Sequence, residues 1–449
     1  MSARNGQSDP ARLKEAVLAA IEQRRDEIIA IGEDIFAHPE LGYKETRTAA
    51  IVADRFRDLG VPHRAGIALT GVKGWLKGRE SRARLAIMGE LDSVLCPEHP
   101  HADPATGAAH ACGHHGMIAA LLGVAMGLAD SGVMTQLDGD VTLLAVPAEE
   151  YVEIEYRDRL RREGKIEFLG GKQEFIRLGE FDDVDLAMMV HMGVENEGKK
   201  VSVGGSSNGF VGKFVRYGGQ EAHAGGAPHA GVNALNAAML GLMGIHAQRE
   251  TMRDDDHIRI HPIITKGGDL VNIIPADVRL ETYVRGKTME AVRDASEKVN
   301  RALRAGAMAI GAEVAIEELP GYMPQISEPR LTELFRANAV AVVGPEAIRD
   351  GGHGTGSSDM GDVTQIMPGI QPSVAGAAGT FHSASFAVAD PYLAYVVPAK
   401  VMAATAIDLL ANGAVAAREI IDGYQANYTK DGYLAMWRGF AGATGGSRE

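Results

Sequence analysis

Residues His110-Ala-Cys-Gly-His-His115 bring a thiol and three imidazoles together directly after a loop-like run, Pro97 to Gly107. A soft thiolate beside imidazoles is a donor set for zinc and related divalent metals. Cys96 and Cys112 are the only cysteines in 449 residues, so no disulfide framework competes for the thiol. On the hexapeptide alone, a buried cysteine beside helix-capping histidines remains an alternative. Further donors must therefore come from elsewhere in the chain.

They occur where predicted strands end. Val141 to Val146 is a short, apolar, β-branched run of the kind buried in a parallel sheet, and it stops at Pro147-Ala-Glu-Glu150. Two adjacent carboxylates at a strand end are either solvated or facing a cation, because burying them unpaired is costly. Val184 to Val190 is a second such run and ends in His191, while Gly379-Thr-Phe-His-Ser383 places His382 in a small-residue loop. Sites in open α/β sheets form at the carboxyl ends of strands, so Glu149, Glu150, His191 and His382 join Cys112 and His114 as candidates.

The elements that must hold these residues follow from periodicity. Ala11 to Leu59 reads as two helices broken at His38-Pro-Glu-Leu-Gly42, Leu85 to Met88 as a strand leading to Gly89-Glu-Leu-Asp-Ser93, and Gly116 to Ala129 as a buried helix. Tyr151 to Lys172 is so charged that a helical excursion with a solvated face is expected. From Gly205 the texture changes to a β-like run, a helix over 232–248, strands over 258–264 and 278–284, a helix over 289–308 and a strand over 314–318. The expectation is an α/β fold: a mixed-sheet catalytic domain with helices on both faces, residues 1–204 and 321–449, interrupted by an inserted α+β domain, residues 205–320.

With 45% hydrophobic and 23% charged residues the chain can bury a sizeable core. The formal net charge of -14 argues against a nucleic-acid surface. No stretch reads as long and charge-free enough to span a bilayer, and Met1 to Asp9 lacks a signal-peptide hydrophobic region, so a cytoplasmic location is expected.

Several separated motifs carry a resemblance that covers nearly the full length. They are Phe36-Ala-His-Pro-Glu-Leu-Gly-Tyr-Lys-Glu45, His110-Ala-Cys-Gly-His114, Pro147-Ala-Glu-Glu150, His191, Ala222-His-Ala-Gly-Gly-Ala-Pro-His229, Val271-Asn-Ile-Ile-Pro275, Gly356-Ser-Ser-Asp-Met-Gly-Asp362 and His382. In this order they resemble the amidohydrolase branch of the aminoacylase and carboxypeptidase G family of metallopeptidases, most closely its aminobenzoyl-glutamate hydrolase-like members. The resemblance implies one or two divalent ions per subunit, Mn or Zn or Co, with Cys112 bridging, His114 and Glu150 on one side, and His191 and His382 completing the set. It implies that Glu149 is the general base. By analogy with carboxylates around zinc, Asp92 is a candidate to orient a ligand histidine, the alternative being a surface-loop aspartate. It makes the insert a lid or dimerisation domain, in which His223 polarises the scissile carbonyl while Asn272 and Arg285 hold the substrate's carboxylate. The implied partners are a small carboxylate-bearing substrate and a second copy of the chain.

Two features depart from the commoner auxin-conjugate branch. That branch has aspartate and a second histidine where this chain has His115 and Met117, so His115 is a second-shell group, a substrate contact or an extra ligand. The Glu150 to His191 spacing (191 − 150 = 41) suits the aminobenzoyl-glutamate type better. The leading expectation is metal-dependent hydrolysis of the amide of an N-acyl or N-aroyl amino acid. Alternatives are hydrolytic deamination of an electron-poor aminobenzoate, as in nitroanthranilate aminohydrolase-type relatives, and a non-catalytic metal-binding scaffold.

Overall fold

The computed structural model describes residues 9–442. Residues 1–8 of the segment read above for a leader lie outside the described residues. The chain divides into two compact units. Among the described residues, the first takes 9–206 with Ile326–Gly352 and Asp362–Asn427; the second takes Ser207–Gln325, His353–Gly361 and 428–442. The stretches 353–361 and 428–442, expected in the catalytic domain, thus group with the inserted unit.

The first unit is built on a mixed six-stranded sheet ordered His63–Ile67, Gly71–Leu76, Asp140–Val146, Arg84–Glu90, Leu186–Met189, Gly369–Ile370. The first two pairings are antiparallel and the remaining three parallel. Every residue of Asp140–Val146 is buried, as is every residue of Arg84–Glu90 after Arg84. Strands apolar at consecutive positions need cover on both faces. Leu85, Ile87, Val141 and Leu143 point into one large core with the helices Pro10–Gln23, Arg25–Phe36 and His114–Asp130. A second sheet in this unit pairs Ser373–Ala378 with His191–Val194 in parallel.

Three departures have local causes. The two expected N-terminal helices are three, because Arg24 (φ −93, ψ 3) interrupts the first. Ile21 and Ile28 stay buried across that kink, so the apolar period continues unbroken through it. His191 does not end the Leu186–Met189 strand but opens the next one, its backbone N–H donating to the Pro372 carbonyl. Tyr392–Leu410, against expectation, is long and apolar enough for a bilayer, yet 89% of its apolar stretch is buried, and it packs on the Pro10–Gln23 and His114–Asp130 helices.

The second unit has a four-stranded antiparallel sheet ordered Arg259–Lys266, Asp277–Gly286, Gly209–Gly218, Glu313–Pro320. Helices Ala234–Ala247 and Met289–Ile310 pack on it and on each other. Apolar residues along Met289–Ile310 recur on one face (Val292, Ala295, Val299, Leu303), which is the face buried.

Candidate metal centre

Cys112 and His114 flank Gly113, whose φ of 95° is left-handed, a conformation glycine adopts without strain. The turn it makes starts the His114–Asp130 helix, two residues earlier than the apolar pattern alone suggests. His114 is fully buried, and its Nδ1 lies 2.9 Å from the Asp92 carbonyl oxygen. With Nδ1 donating there, Nε2 keeps its lone pair for a cation. Asp92 also stands 3.3 Å from Nδ1 through Oδ1 and accepts the Glu150 backbone N–H at 2.9 Å through Oδ2. Asp92 therefore holds two candidate ligands at once.

The turn carrying Glu149 and Glu150 is strained. Ala148 sits at φ 55°, which costs a residue with a Cβ about 1–3 kcal/mol. Its N–H donates to Glu45 Oε1 at 2.8 Å, and its carbonyl accepts from the Arg157 guanidinium at 3.1 Å. Both clamps are buried. Burial, reinforced by the Asp92 charge, raises the Glu45 pKa to about 7.

His382 also takes a left-handed backbone, and its N–H donates to the Ala111 carbonyl at 2.8 Å, which draws the 379–383 loop to the cysteine turn. Its Nε2 lies 3.1 Å from Glu150 Oε1. His191 Nδ1 contacts the Met192 carbonyl, and its Nε2 is 3.6 Å from Cys112 Sγ. Three donor triads result, each with ligand atoms within 4.8 Å of one another: Cys112, His114 and His191; Cys112, Glu150 and His382; Glu90, His114 and Glu149. All five ligands expected from the sequence fall in these sets. So does Glu149, whose Oε2 is 3.9 Å from His114 Nε2.

The spacings fit shared ions. Ligands at about 2.0–2.2 Å from one metal stand roughly 2.9–3.4 Å apart for nitrogen and oxygen, and roughly 3.5 Å apart when one is a thiolate. The electrostatics call for a cation. Burial and the neighbouring Glu150 push the Cys112 thiol well above its ordinary pKa, so it ionises only beside positive charge. Burial opposes charging of His114, yet Glu90 and Cys112 outweigh it and raise its pKa well above the usual value. Glu150 is drawn down to about 2 against its burial, chiefly by its contact with His382.

His115 is not in the donor clusters. Its ring packs 4.9 Å from Phe36, 5.2 Å from His110 and 5.7 Å from Tyr395, and burial with the His114 charge lowers its pKa to about 3. In the second unit His223 is exposed and bridges Ile273, with the Gly225 and Gly226 N–H groups donating to its Nδ1. Asn272 lies in the same corner, its carbonyl accepting from Ala224. Arg285 donates to Ser357 Oγ at 3.0 Å and lies over the Phe210 ring.

The charged stretch read as a solvated face is a correction. Arg157 and Lys172 are both buried, Arg157 bonding the Ala148 and Leu169 carbonyls and Lys172 pairing with Glu90 at 2.5 Å. Charge density misled the reading, because these cations face buried carboxylates and carbonyls rather than water. Glu90 was also passed over, although it ends the Arg84–Glu90 strand as Val146 ends its neighbour.

A Xaa-Arg dipeptidase from Mus musculus is 28% identical over 379 residues, covering 80% of this chain and 79% of its own length. An N-acyl-L-amino acid amidohydrolase from Geobacillus stearothermophilus is 25% identical over 324 residues, covering 70% of this chain and 81% of its own. Among solved structures, an aminobenzoyl-glutamate utilization protein from Klebsiella pneumoniae superposes with a TM-score of 0.65 at 20% identity, covering 87% of this chain and 97% of that one. A dinuclear metal-binding peptidase from Bacillus subtilis gives 0.63 at 20% identity, covering 87% and 99%. The model described as Peptidase family M20/M25/M40 matches residues 86–406, more than half of the chain, and with the full expected donor set this places the chain in that family of hydrolases acting on amide C–N bonds.

Proposed function

We propose that this chain hydrolyses the amide of an N-acyl or N-aroyl amino acid with two divalent ions, Mn, Zn or Co, held by Cys112, His114, Glu150, His191 and His382. The observation that carries it is the convergence of Glu150 Oε1 and His382 Nε2, 3.1 Å apart with Cys112 in the same triad, beside the second carboxylate Glu149. The names of the Klebsiella and Bacillus relatives support an aroyl amino acid and two ions, respectively. The ions supply Lewis acidity toward water and the scissile carbonyl. Glu149, 8% exposed at the edge of the donor cluster, takes a proton from water and returns it to the leaving amine nitrogen. Asp92 keeps His114 and Glu150 in register, and His223, Asn272 and Arg285 of the second unit serve the carbonyl oxygen and the substrate carboxylate.

A homodimer through the second unit belongs to this proposal. Its edge strand Arg259–Lys266 exposes Ile263 and Ile264, and its helix Ala234–Ala247 exposes Met239 and Met243. An open edge with apolar side chains is a template for a second copy.

The test is a panel of N-acyl amino acids, aminobenzoyl-glutamate and nitro-substituted aminobenzoates, run with the metal-loaded protein and with Glu149→Gln. Two organic products from an amide, lost by about 100-fold or more in Glu149→Gln while metal content holds, are expected. A phenol with ammonia instead would establish aromatic deamination and overturn the amide reading.

A further inference from the structure

Glu90 has a geometry that the five-ligand set leaves unexplained. It ends the Arg84–Glu90 strand, is fully buried, and splits its two oxygens between different neighbours. Oε1 is taken by Lys172 Nζ at 2.5 Å. Oε2 lies 3.0 Å from His114 Nε2, yet the two atoms are not aligned as a hydrogen bond, and neither has a hydrogen-bond partner. Leaving a buried carboxylate oxygen unsatisfied is costly, so a partner is expected there. Two electron-pair donors this close and not bonded to each other converge on a common point, and 3.0 Å is within the separation of two ligands on one ion.

We infer that Glu90 is a further metal ligand, binding through Oε2 the ion that His114 binds through Nε2. The inference rests on the two-ion reading above and deepens it. Lys172 has a defined part in it. By occupying Oε1, it leaves Glu90 a single oxygen to offer and cancels one negative charge in a cluster that already holds Cys112, Glu149 and Glu150. Glu90 and His114 then belong to one half of the centre, with the base Glu149 beside them, and Cys112, Glu150 and His382 to the other, while the Cys112, His114 and His191 triad overlaps both; His114 and Glu150 thus fall in different halves and not on one side as the resemblance implied. A carboxylate in the first half makes that half harder and more suited to Mn than a site of thiolate and imidazole alone.

The experiment uses the full chain, stripped with a chelator and titrated with Mn(II) or Zn(II) against a competing chelating dye. Ions bound per chain, their dissociation constants and the melting temperature of the metal-free protein are read together. Glu90→Gln keeps the shape and an acceptor for Lys172 but removes the charge. It is expected to weaken one of the two ions by more than about 100-fold, beyond the 10–100-fold typical of a residue one bond further out, and to leave the other ion in place. Wild-type affinity for both ions in Glu90→Gln would overturn the inference and leave Glu90 as a partner of Lys172 alone. A wild-type protein that takes up no ion would overturn the two-ion reading itself, and this inference with it. Should Glu90→Gln not fold, Glu90→Asp retains the charge and withdraws the oxygen by one methylene. The visible spectra of the Co(II)-loaded wild type and Glu90→Asp should then differ, and identical spectra would overturn the assignment.

Discussion

Arg157→Met is the most informative single change. The native guanidinium is 1% exposed, donates to the Ala148 carbonyl at 3.1 Å and the Leu169 carbonyl at 2.9 Å, and stands 3.9 Å from Asp92 Oδ2. Methionine fills most of the volume, so the loss is polar. Two charge-assisted hydrogen bonds are worth about 1.5–3 kcal/mol each, and stripping the partner from a buried charge costs about 3–5 kcal/mol in total, because these contributions overlap. At roughly 2–4 °C per kcal/mol for a large domain, the melting temperature of the metal-free protein should fall by about 6–20 °C. The same change frees the strained Ala148 turn and loosens Asp92, so metal affinity should drop by about 10–100-fold. Thermal unfolding in chelator and dye-competition titration measure the two effects separately. A midpoint within about 2 °C of wild type, with unchanged affinity, would refute the reasoning.

Three further outcomes are expected. Cys112→Ser should lose metal on dialysis, since a hydroxyl is a poor ligand at neutral pH; unchanged stoichiometry would leave Cys112 as core packing. His223→Ala should bind metal normally and lose most turnover, and mixing it with Glu149→Gln should restore partial activity if His223 serves a partner's site; no recovery after demonstrated subunit exchange would exclude action in trans. Burial and the Asp92 charge raise the folded-state pKa of Glu45 to about 7, so it favours the folded state most at low pH, and that contribution is lost as pH rises from the ordinary glutamate range through about 7. Glu45→Gln should therefore gain stability relative to wild type as pH climbs through that window, and a pH-independent difference in melting temperature would show that Glu45 does not titrate there.

Some donors are legible in the sequence because they follow an apolar run, while Cys112, His114 and His382 stand out by residue type within loop-like segments. Val146 before Glu149 and Glu150, and Met189 before His191, mark strand ends by composition alone. The supporting residues had no such marker. Arg157 and Lys172 sit in a stretch whose charge reads as solvent-facing, and only the tertiary fold shows that Ala148, Leu169 and Glu90 consume those charges. Glu90 follows the same strand-end rule, but a single carboxylate at a strand end carries no marker that separates a ligand from a solvated residue. The kink at Arg24 was invisible because the buried face runs straight through it.

The helix Tyr392–Leu410 has a consequence for handling the protein. Its bilayer-grade apolar surface stays hidden only while the first unit is intact. Once the chain opens, that segment is exposed to other unfolded chains and to lipid, which compete with its native neighbours for the same apolar surface. Heat-treated samples should therefore precipitate rather than recover, with transition midpoints that move with the heating rate. A detergent or lipid fraction that retains the denatured polypeptide would be reporting a displaced core element and not a native membrane anchor.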